Sequence, residues 1–228
     1  GVGGTPIETD LDVLAADANG GSIYISDSED LTVGTVGPID VNRIGMDSST
    51  TEQPGVTLVG AIATESVKIE AASDLTTTSL VDAVGNDVLL EAIGGNLTLS
   101  ATVDAADDIS LLAQSNIVQN AAGDVTAGGT VDAEATVGSI TMADGAETDA
   151  AGNIRYLAAQ NVVLGRLDSD ADIRVEATAG SITDAGDANG EDVEGVNAQL
   201  VAGTWIGEAD GVGGTPIETD LDVLAADA

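Results

Sequence analysis

The chain lacks the side chains that most enzymes use for catalysis. Its 228 residues include no His and no Cys, which excludes an imidazole base, a thiolate nucleophile and an ordinary zinc site. Catalysis would depend on carboxylates, because 40 Asp and Glu residues accompany only five Lys and Arg residues. A carbohydrate-cleaving groove with paired acids tends to offer aromatic platforms, and the only aromatic residues are Tyr24, Tyr156 and Trp205. We therefore expect no enzyme, with a polysaccharide-cleaving β-helix enzyme as a remote alternative.

Clustered carboxylates suit a different chemistry, the binding of a hard cation such as Ca²⁺, which takes several oxygen ligands. The local clusters are Asp27/Glu29/Asp30, Asp104/Asp107/Asp108, Asp168/Asp170/Asp172 and Asp184/Asp187. In LDSDADI three aspartates alternate, so that they face one way in an extended turn. We predict calcium binding at Asp168, Asp170 and Asp172, although no cofactor is required. The alternative is that these acids are solvated corners that keep the chain soluble.

The net charge of −35 at pH 7 limits the possible partners. Nothing in the chain can neutralise a run of phosphates, so nucleic acid is not expected. The same charge argues against anionic membrane surfaces, and no apolar run is long enough to insert into a membrane. A secretory signal is also not recognisable. We expect an environment in which salt or calcium screens the charge.

The elements that would position these acids are short strands. Apolar and polar residues alternate between Gly, Asp and Asn, as in SVKIEA and NLTLSATV, and this period of two is typical of β-strands. No stretch keeps a helical apolar face over about eleven residues. The first inward residue of successive coils is predicted to recur about every 21 residues. These positions are Ile23, Ile44, Val67, Val88, Ile109, Val131, Ile154 and Ile173.

A second strand follows the first within each period, as Leu75 follows Val67 and Ile117 follows Ile109. Two or three short strands in each period predict an all-β fold, a parallel β-solenoid with about ten coils per 210 residues. The alternative is a string of immunoglobulin-like sandwiches. A core without Phe and rich in small aliphatic residues suits thin stacked layers better.

One sequence occurs twice without a change. GVGGTPIETDLDVLAADA spans residues 1–18 and returns as residues 211–228, an offset of 210 residues. We interpret residues 1–210 as one complete tandem repeat unit of the solenoid and residues 211–228 as the start of the next. Neighbouring identical units are therefore the first expected partners, since each coil contacts only the coils beside it.

Two polar stretches depart from the alternation, Met46–Pro54 and Asp187–Glu194. We predict that both are protruding loops and candidate contact sites, with tolerated insertions as the alternative. The threonine run Thr76–Thr78 occurs once in the unit, so we expect no threonine ladder. Trp205, in a turn near the unit junction, either fills a corner between units or protrudes as a binding anchor.

Several segments near the junction carry a family resemblance. Read in cyclic order they are LVAGTWIG, PIET, LDVLAA and GGSIYIS followed by LTVG. They resemble the large repeats of giant bacterial surface adhesins of the filamentous haemagglutinin type. This resemblance covers most of the chain and implies a right-handed β-helix, secretion to the bacterial cell surface and a role as adhesin, rod, stalk or filament. The alternative function is a module that binds a glycan or another cell surface through its loops.

Overall fold

The computed structural model describes residues 5–186, 188, 190–207 and 216–228, which form β-strands and no helix. The strands, numbered in chain order, are β1 Ile7–Thr9, β2 Val13–Leu14, β3 Ala16–Ala18, β4 Ile23–Asp27, β5 Leu31–Val33, β6 Thr35–Val36, β7 Val41–Ile44, β8 Thr50–Gln53, β9 Leu58–Val59, β10 Ala61–Ala63, β11 Val67–Ala71, β12 Leu75–Thr77, β13 Val81–Ala83, β14 Val88–Ala92, β15 Leu97–Leu99, β16 Val103–Ala105, β17 Ile109–Ala113, β18 Ile117–Gln119, β19 Val125–Ala127, β20 Val131–Ala135, β21 Ile140–Met142, β22 Glu147–Ala150, β23 Ile154–Ala158, β24 Val162–Leu164, β25 Arg166–Ser169, β26 Asp172–Ala177, β27 Ile182–Asp184, β28 Val193–Ala202 and β29 Thr219–Asp227.

The strands wind into a stack with three parallel faces. The short-strand face contains β2, β5, β12, β15, β18, β21, β24 and β27. The long-strand face contains β1, β4, β11, β14, β17, β20, β23, β26, the second half of β28 and most of β29. The third face contains β3, β10, β13, β16, β19, β22, β25 and the start of β28. The predicted parallel β-solenoid of about ten turns is confirmed, and the sandwich alternative is wrong.

Equivalent residues of successive coils lie directly above one another. Val67 pairs with Val88 and Val88 with Ile109 on the long-strand face, while Leu75 pairs with Leu97 on the short-strand face. Every second residue of these strands is buried, so that the predicted alternation places Val, Ile, Leu and Ala inside. Burying one such Val, Leu or Ile side chain contributes about 1.5–3 kcal/mol. The core is therefore a set of aliphatic columns along the stack.

Ile44 does not start a coil, contrary to the prediction. Val67 pairs directly with Ile23, and Ile44 is 75% exposed in the antiparallel hairpin of β7 and β8. Residues 35–59 leave the stack after β5 and return at β10, with β6 and β9 pairing antiparallel where they leave and return. We call residues 35–59 the excursion. It contains the predicted loop Met46–Pro54 and is larger than that prediction.

Polar side chains form columns at the corners between faces. Asn96 Nδ2 donates to Asp74 Oδ1 (3.1 Å), Asn116 Nδ2 donates to Asn96 Oδ1 (2.9 Å), and the Ser139 backbone N–H donates to Asn116 Oδ1 (2.9 Å). Each side chain thus satisfies backbone or side-chain groups of the next coil. The acidic and amide corners stabilise the stack in addition to solvating it.

The core also holds one polar network, formed by Gln119, Thr148 and Tyr156. The Tyr156 hydroxyl lies 2.7 Å from Thr148 Oγ1 and 3.2 Å from Gln119 Oε1, and Gln119 Nε2 donates to the backbone carbonyl of Glu147 (2.8 Å). Tyr156 is 1% exposed, and this burial raises the pKa of its hydroxyl. All three polar side chains of this network therefore have partners.

The two copies of the 18-residue repeat take different positions. In the first copy β1, β2 and β3 pair with β4, β5 and β10 on the three faces. The described part of the second copy, residues 216–228, contains the strand β29, which pairs along β28 from Val193 to Val201. We call residues 216–228 the return segment.

Candidate functional site

The predicted calcium ligands Asp168, Asp170 and Asp172 lie around the corner between β25 and β26. Asp168 is 2.7 Å from the guanidinium of Arg166, and Asp172 Oδ1 accepts a hydrogen bond from Asn197 Nδ2 (2.8 Å). Asp170 is exposed between them. Among the described residues these three do not form a group with oxygens within 4.8 Å of one another. Two of the three thus have protein partners, and calcium binding here stays a prediction.

An open depression of about 320 Å³ adjoins this corner, and its lining is acidic. The carboxylates that line it are those of Asp168, Asp170, Glu194, Asp220 and Asp222. Two of these residues come from the return segment, which the spacing of LDSDADI could not indicate.

Carboxylates also stack along the outer side of the third face. Asp82 pairs with Asp104, Asp149 with Asp168, and Asp168 with Glu194, so like charges occupy neighbouring coils. Partial burial and the charge of Asp104 raise the pKa of Asp82. The guanidinium of Arg166 lies against Asp168 (2.7 Å) and Glu194 (2.6 Å) and so offsets part of this repulsion.

Of the other predicted acidic clusters, the one at Asp104/Asp107/Asp108 is rearranged by the fold. Asp107 and Asp108 group with Asp87 of the preceding coil, and all three are exposed. Asp108 Oδ1 already accepts hydrogen bonds from the backbone N–H and hydroxyl of Thr130. These carboxylates therefore have the environment of solvated corner residues.

The cluster at Asp27/Glu29/Asp30 is not among the close groups of carboxylates in the described part of the chain. Asp27 is 3% exposed, and its carboxylate accepts hydrogen bonds from Thr9 Oγ1 (2.7 Å) and from the backbone N–H groups of Leu11 and Glu29. Burial raises its pKa, but these hydrogen bonds outweigh burial and leave the pKa lowered. Asp27 thus acts as a structural acceptor for the first coil.

A third group of carboxylates lies where the return segment meets the stack. The carboxylates of Asp184, Asp192 and Glu218 have oxygens within 4.8 Å of one another. Asp192 is 1% exposed. Burial, together with the neighbouring Asp184 and Glu218, raises the pKa of Asp192 to about 8 despite a hydrogen bond from the Glu218 backbone. The predicted partner Asp187 lies outside the described residues. We call Asp184, Asp192 and Glu218 the junction cluster.

The stretch Asp187–Glu194 is only partly the predicted protruding loop. Val193 and Glu194 begin β28 and pair with Leu167 and Asp168 of β25. Together with the burial of Asp192, this places the end of the stretch within the stack.

The excursion exposes apolar side chains outside the stack. Ile39 is 71% exposed, Val41 57% and Ile44 75%, and Met46 is fully exposed. Exposed apolar side chains mark a contact surface where they form a contiguous patch. Trp205, for comparison, is 45% exposed, and its backbone carbonyl accepts a hydrogen bond from the backbone N–H of Ile182.

The short-strand face carries a column of β-branched residues on its outer side. Thr32, Thr76 and Thr98 pair in register, and the column continues through Val118, Thr141, Val163 and Thr183. Three threonines of successive coils thus stack although the run Thr76–Thr78 occurs once, but Val118 and Val163 interrupt the column, so the threonines do not continue from coil to coil.

No protein-family model, no curated protein and no solved structure matches this chain. The described part of the chain contains no helix that could cross a membrane.

Proposed function

We propose that this chain is a structural repeat of a long extracellular surface protein, in which it serves as rod, stalk or filament. The observation that carries the proposal is the combination of an identical 18-residue sequence after 210 residues with a stack that grows by parallel pairing. Parallel strands leave unpaired backbone groups at both ends of the stack. A following unit with the same opening sequence offers strands to pair with such an end.

Adhesion at a bacterial cell surface is part of the same proposal and is supported by the resemblance to haemagglutinin-type repeats. The charge of −35 supports it further, because mutual repulsion keeps neighbouring rods apart and soluble unless cations screen it. The role is mechanical, since spacing and display need length and stiffness.

Electron microscopy of three tandem units tests this function. Ten layers at about 4.8 Å give roughly 50 Å, so three units joined without a break should form a straight rod of roughly 150 Å. Three separated beads would contradict the proposal, because the stack would then end within each unit. A single unit is too short for this test, since a globule of equal mass has nearly the same size.

A second candidate function is binding of a glycan or protein partner through the excursion, and the exposure of Ile39, Ile44 and Met46 favours it. The test compares cell binding by the intact chain with a variant in which residues 35–59 are replaced by two glycines. A partner-binding module should lose binding, whereas a rod that adheres through other surfaces should keep it. The matched control replaces Ile44 and Met46 with Ser, which keeps the excursion but removes apolar surface.

A further inference from the structure

Asp184 occupies a position that belongs to the core. It is the register partner of Leu164, which is fully buried, and earlier coils fill the same column with the buried residues Thr77, Leu99, Gln119 and Met142. Gly186 N–H donates to Asp184 Oδ1 (2.6 Å), and the other oxygen, Oδ2, is buried without a partner. A carboxylate therefore occupies a column whose earlier members are buried apolar residues or the uncharged polar residues Thr77 and Gln119.

The backbone holds the other two carboxylates beside it. The Glu218 backbone N–H donates to Asp192 Oδ2 (3.0 Å), and the Asp192 and Val193 N–H groups donate to the Glu218 carbonyl (3.0 and 3.1 Å). Glu218 Oε2 is also buried without a partner. These bonds fix Glu218 against Asp192, so the acids cannot separate without undocking the return segment.

No basic side chain offsets the junction cluster in the described structure. The nearest one along the third face, Arg166, is held by Asp168 (2.7 Å) and Glu194 (2.6 Å), with Glu147 at 3.5 Å. The polar side chains of Gln119, Thr148 and Tyr156, in contrast, all have hydrogen-bond partners within the core. Asp184 Oδ2 and Glu218 Oε2 are thus buried oxygens beside a third acid and have no basic partner, an arrangement that a bound cation would satisfy.

We propose that the junction cluster binds a calcium ion that fastens the return segment to the coil before it. Asp184 and Asp192 come from the stack and Glu218 comes from the return segment, so the cation bridges the two. Three carboxylates supply from three to six oxygens, and backbone carbonyls or water complete the six to eight ligands that Ca²⁺ takes. The site does not depend on the proposed rod function, since all three ligands lie within this one chain.

The repeat itself provides a matched control. Glu8 and Glu218 occupy the same position in two identical 18-residue sequences, but Glu8 is exposed and pairs with Ser26. Calorimetric titration with CaCl₂ should show one saturable site in the wild-type chain and in Glu8→Gln. Glu218→Gln should lower the affinity roughly tenfold or more, since a charged ligand is lost.

Thermal unfolding separates a ligand from a merely structural residue. Without calcium, Glu218→Gln should unfold at or above the wild-type temperature because it removes a charge from the group of acids. Asp192→Asn should unfold near the wild-type temperature, because the raised pKa of Asp192 already leaves this carboxyl largely protonated at pH 7. Both should lose the rise in unfolding temperature that calcium gives the wild type. Lower stability of both variants without calcium, together with an unchanged calcium response, would overturn the proposal.

The titration also separates this site from the one predicted at Asp168, Asp170 and Asp172. Asp170→Asn should leave the junction site intact. Equal binding by Glu8→Gln and Glu218→Gln, loss of binding only in Asp170→Asn, or no binding tighter than about 1 mM would each overturn the proposal.

Discussion

Replacing the excursion by two glycines should leave the solenoid folded. None of residues 35–59 is buried, whereas Gly34 and Gly60 on either side are. The Gly60 N–H donates to the Gly34 carbonyl (2.8 Å), so the two ends of the excursion meet at the stack. Ile23 and its register partner Val67 are 44 residues apart, and the replacement shortens this step to 21, the same as the step from Val67 to Val88.

The expected change in the free energy of unfolding is small and favourable. The lost hairpin buries no side chain, and an isolated two-stranded hairpin is marginally stable at best. Shortening a loop from 25 residues to two removes between three and four doublings of its length, each worth about 0.6 kcal/mol, so the gain has an upper bound of about 2 kcal/mol. We therefore expect stability between the wild-type value and about 2 kcal/mol above it.

Urea denaturation followed by far-ultraviolet circular dichroism measures this change. The control replaces residues 35–59 by 25 Gly and Ser residues, which keeps the length but not the hairpin, and it should be less stable than the short variant. A short variant that loses more than about 2 kcal/mol would refute the reasoning. The excursion would then have to stabilise the coils that it interrupts.

Three further predictions test the core, a corner column and a charge. Leu90→Ala should lower the free energy of unfolding by about 2–5 kcal/mol in urea denaturation, because Leu90 is fully buried. The same change at its outward neighbour Leu89 should lower it by less than about 1 kcal/mol. Asn116→Ala should lower the free energy of unfolding by about 1–3 kcal/mol in the same assay, because it removes two hydrogen bonds to adjacent coils. Its control, Asn42→Ala in the exposed hairpin, should leave the free energy of unfolding nearly unchanged. Asp82 has a raised pKa in the fold, so its charge opposes folding at pH 7 and this penalty falls as the pH is lowered. Asp82→Asn should therefore be more stable than wild type at pH 7, and the difference should shrink toward acid pH; a difference that grows toward acid pH would contradict this sign.

The strand pattern could be predicted because a coil is a local structure. Val67, Val88 and Ile109 each begin an alternating run with a second strand close behind, and the stack pairs these runs directly. Ile44 fitted the spacing, but the residues after it, MDSSTTEQP, lack the alternation of apolar and polar residues, and their strand β8 pairs back onto β7 and not onto the stack. One apolar residue at the expected interval is not enough to predict a coil, because register depends on which strands pair and not on the number of residues between them.

The junction cluster could not be predicted from the spacing of residues along the chain. Asp192 and Glu218 are 26 residues apart in the chain and meet only because the return segment lies along β28. One signal was present, because in GSITDA the alternation that buries Ile182 places Asp184 inward as well. A charged residue at an inward position of a strand indicates a site or a missing partner.

The identical repeats show that partner strands decide what the same sequence forms. Leu14 is 8% exposed on the short-strand face, whereas its copy Leu224 is 48% exposed on the long-strand face in β29. The first copy meets the strands that follow it and the second meets the strand before it. A copy inside an array would have strands both before and after it. It cannot adopt both arrangements, because each residue can lie on only one face. The arrangement that buries Leu14 should prevail there, because it removes more apolar surface from water.

Calcium binding at Glu218 exists only in the arrangement of the second copy, so calcium and a following unit should compete for the return segment. A chain of three units that ends in the return segment should then bind one calcium ion tightly at its terminal copy. Calorimetric stoichiometry measures this number directly. Three equivalent tight sites would show instead that interior copies keep the β28 pairing, and that each unit boundary in the rod is held by a cation.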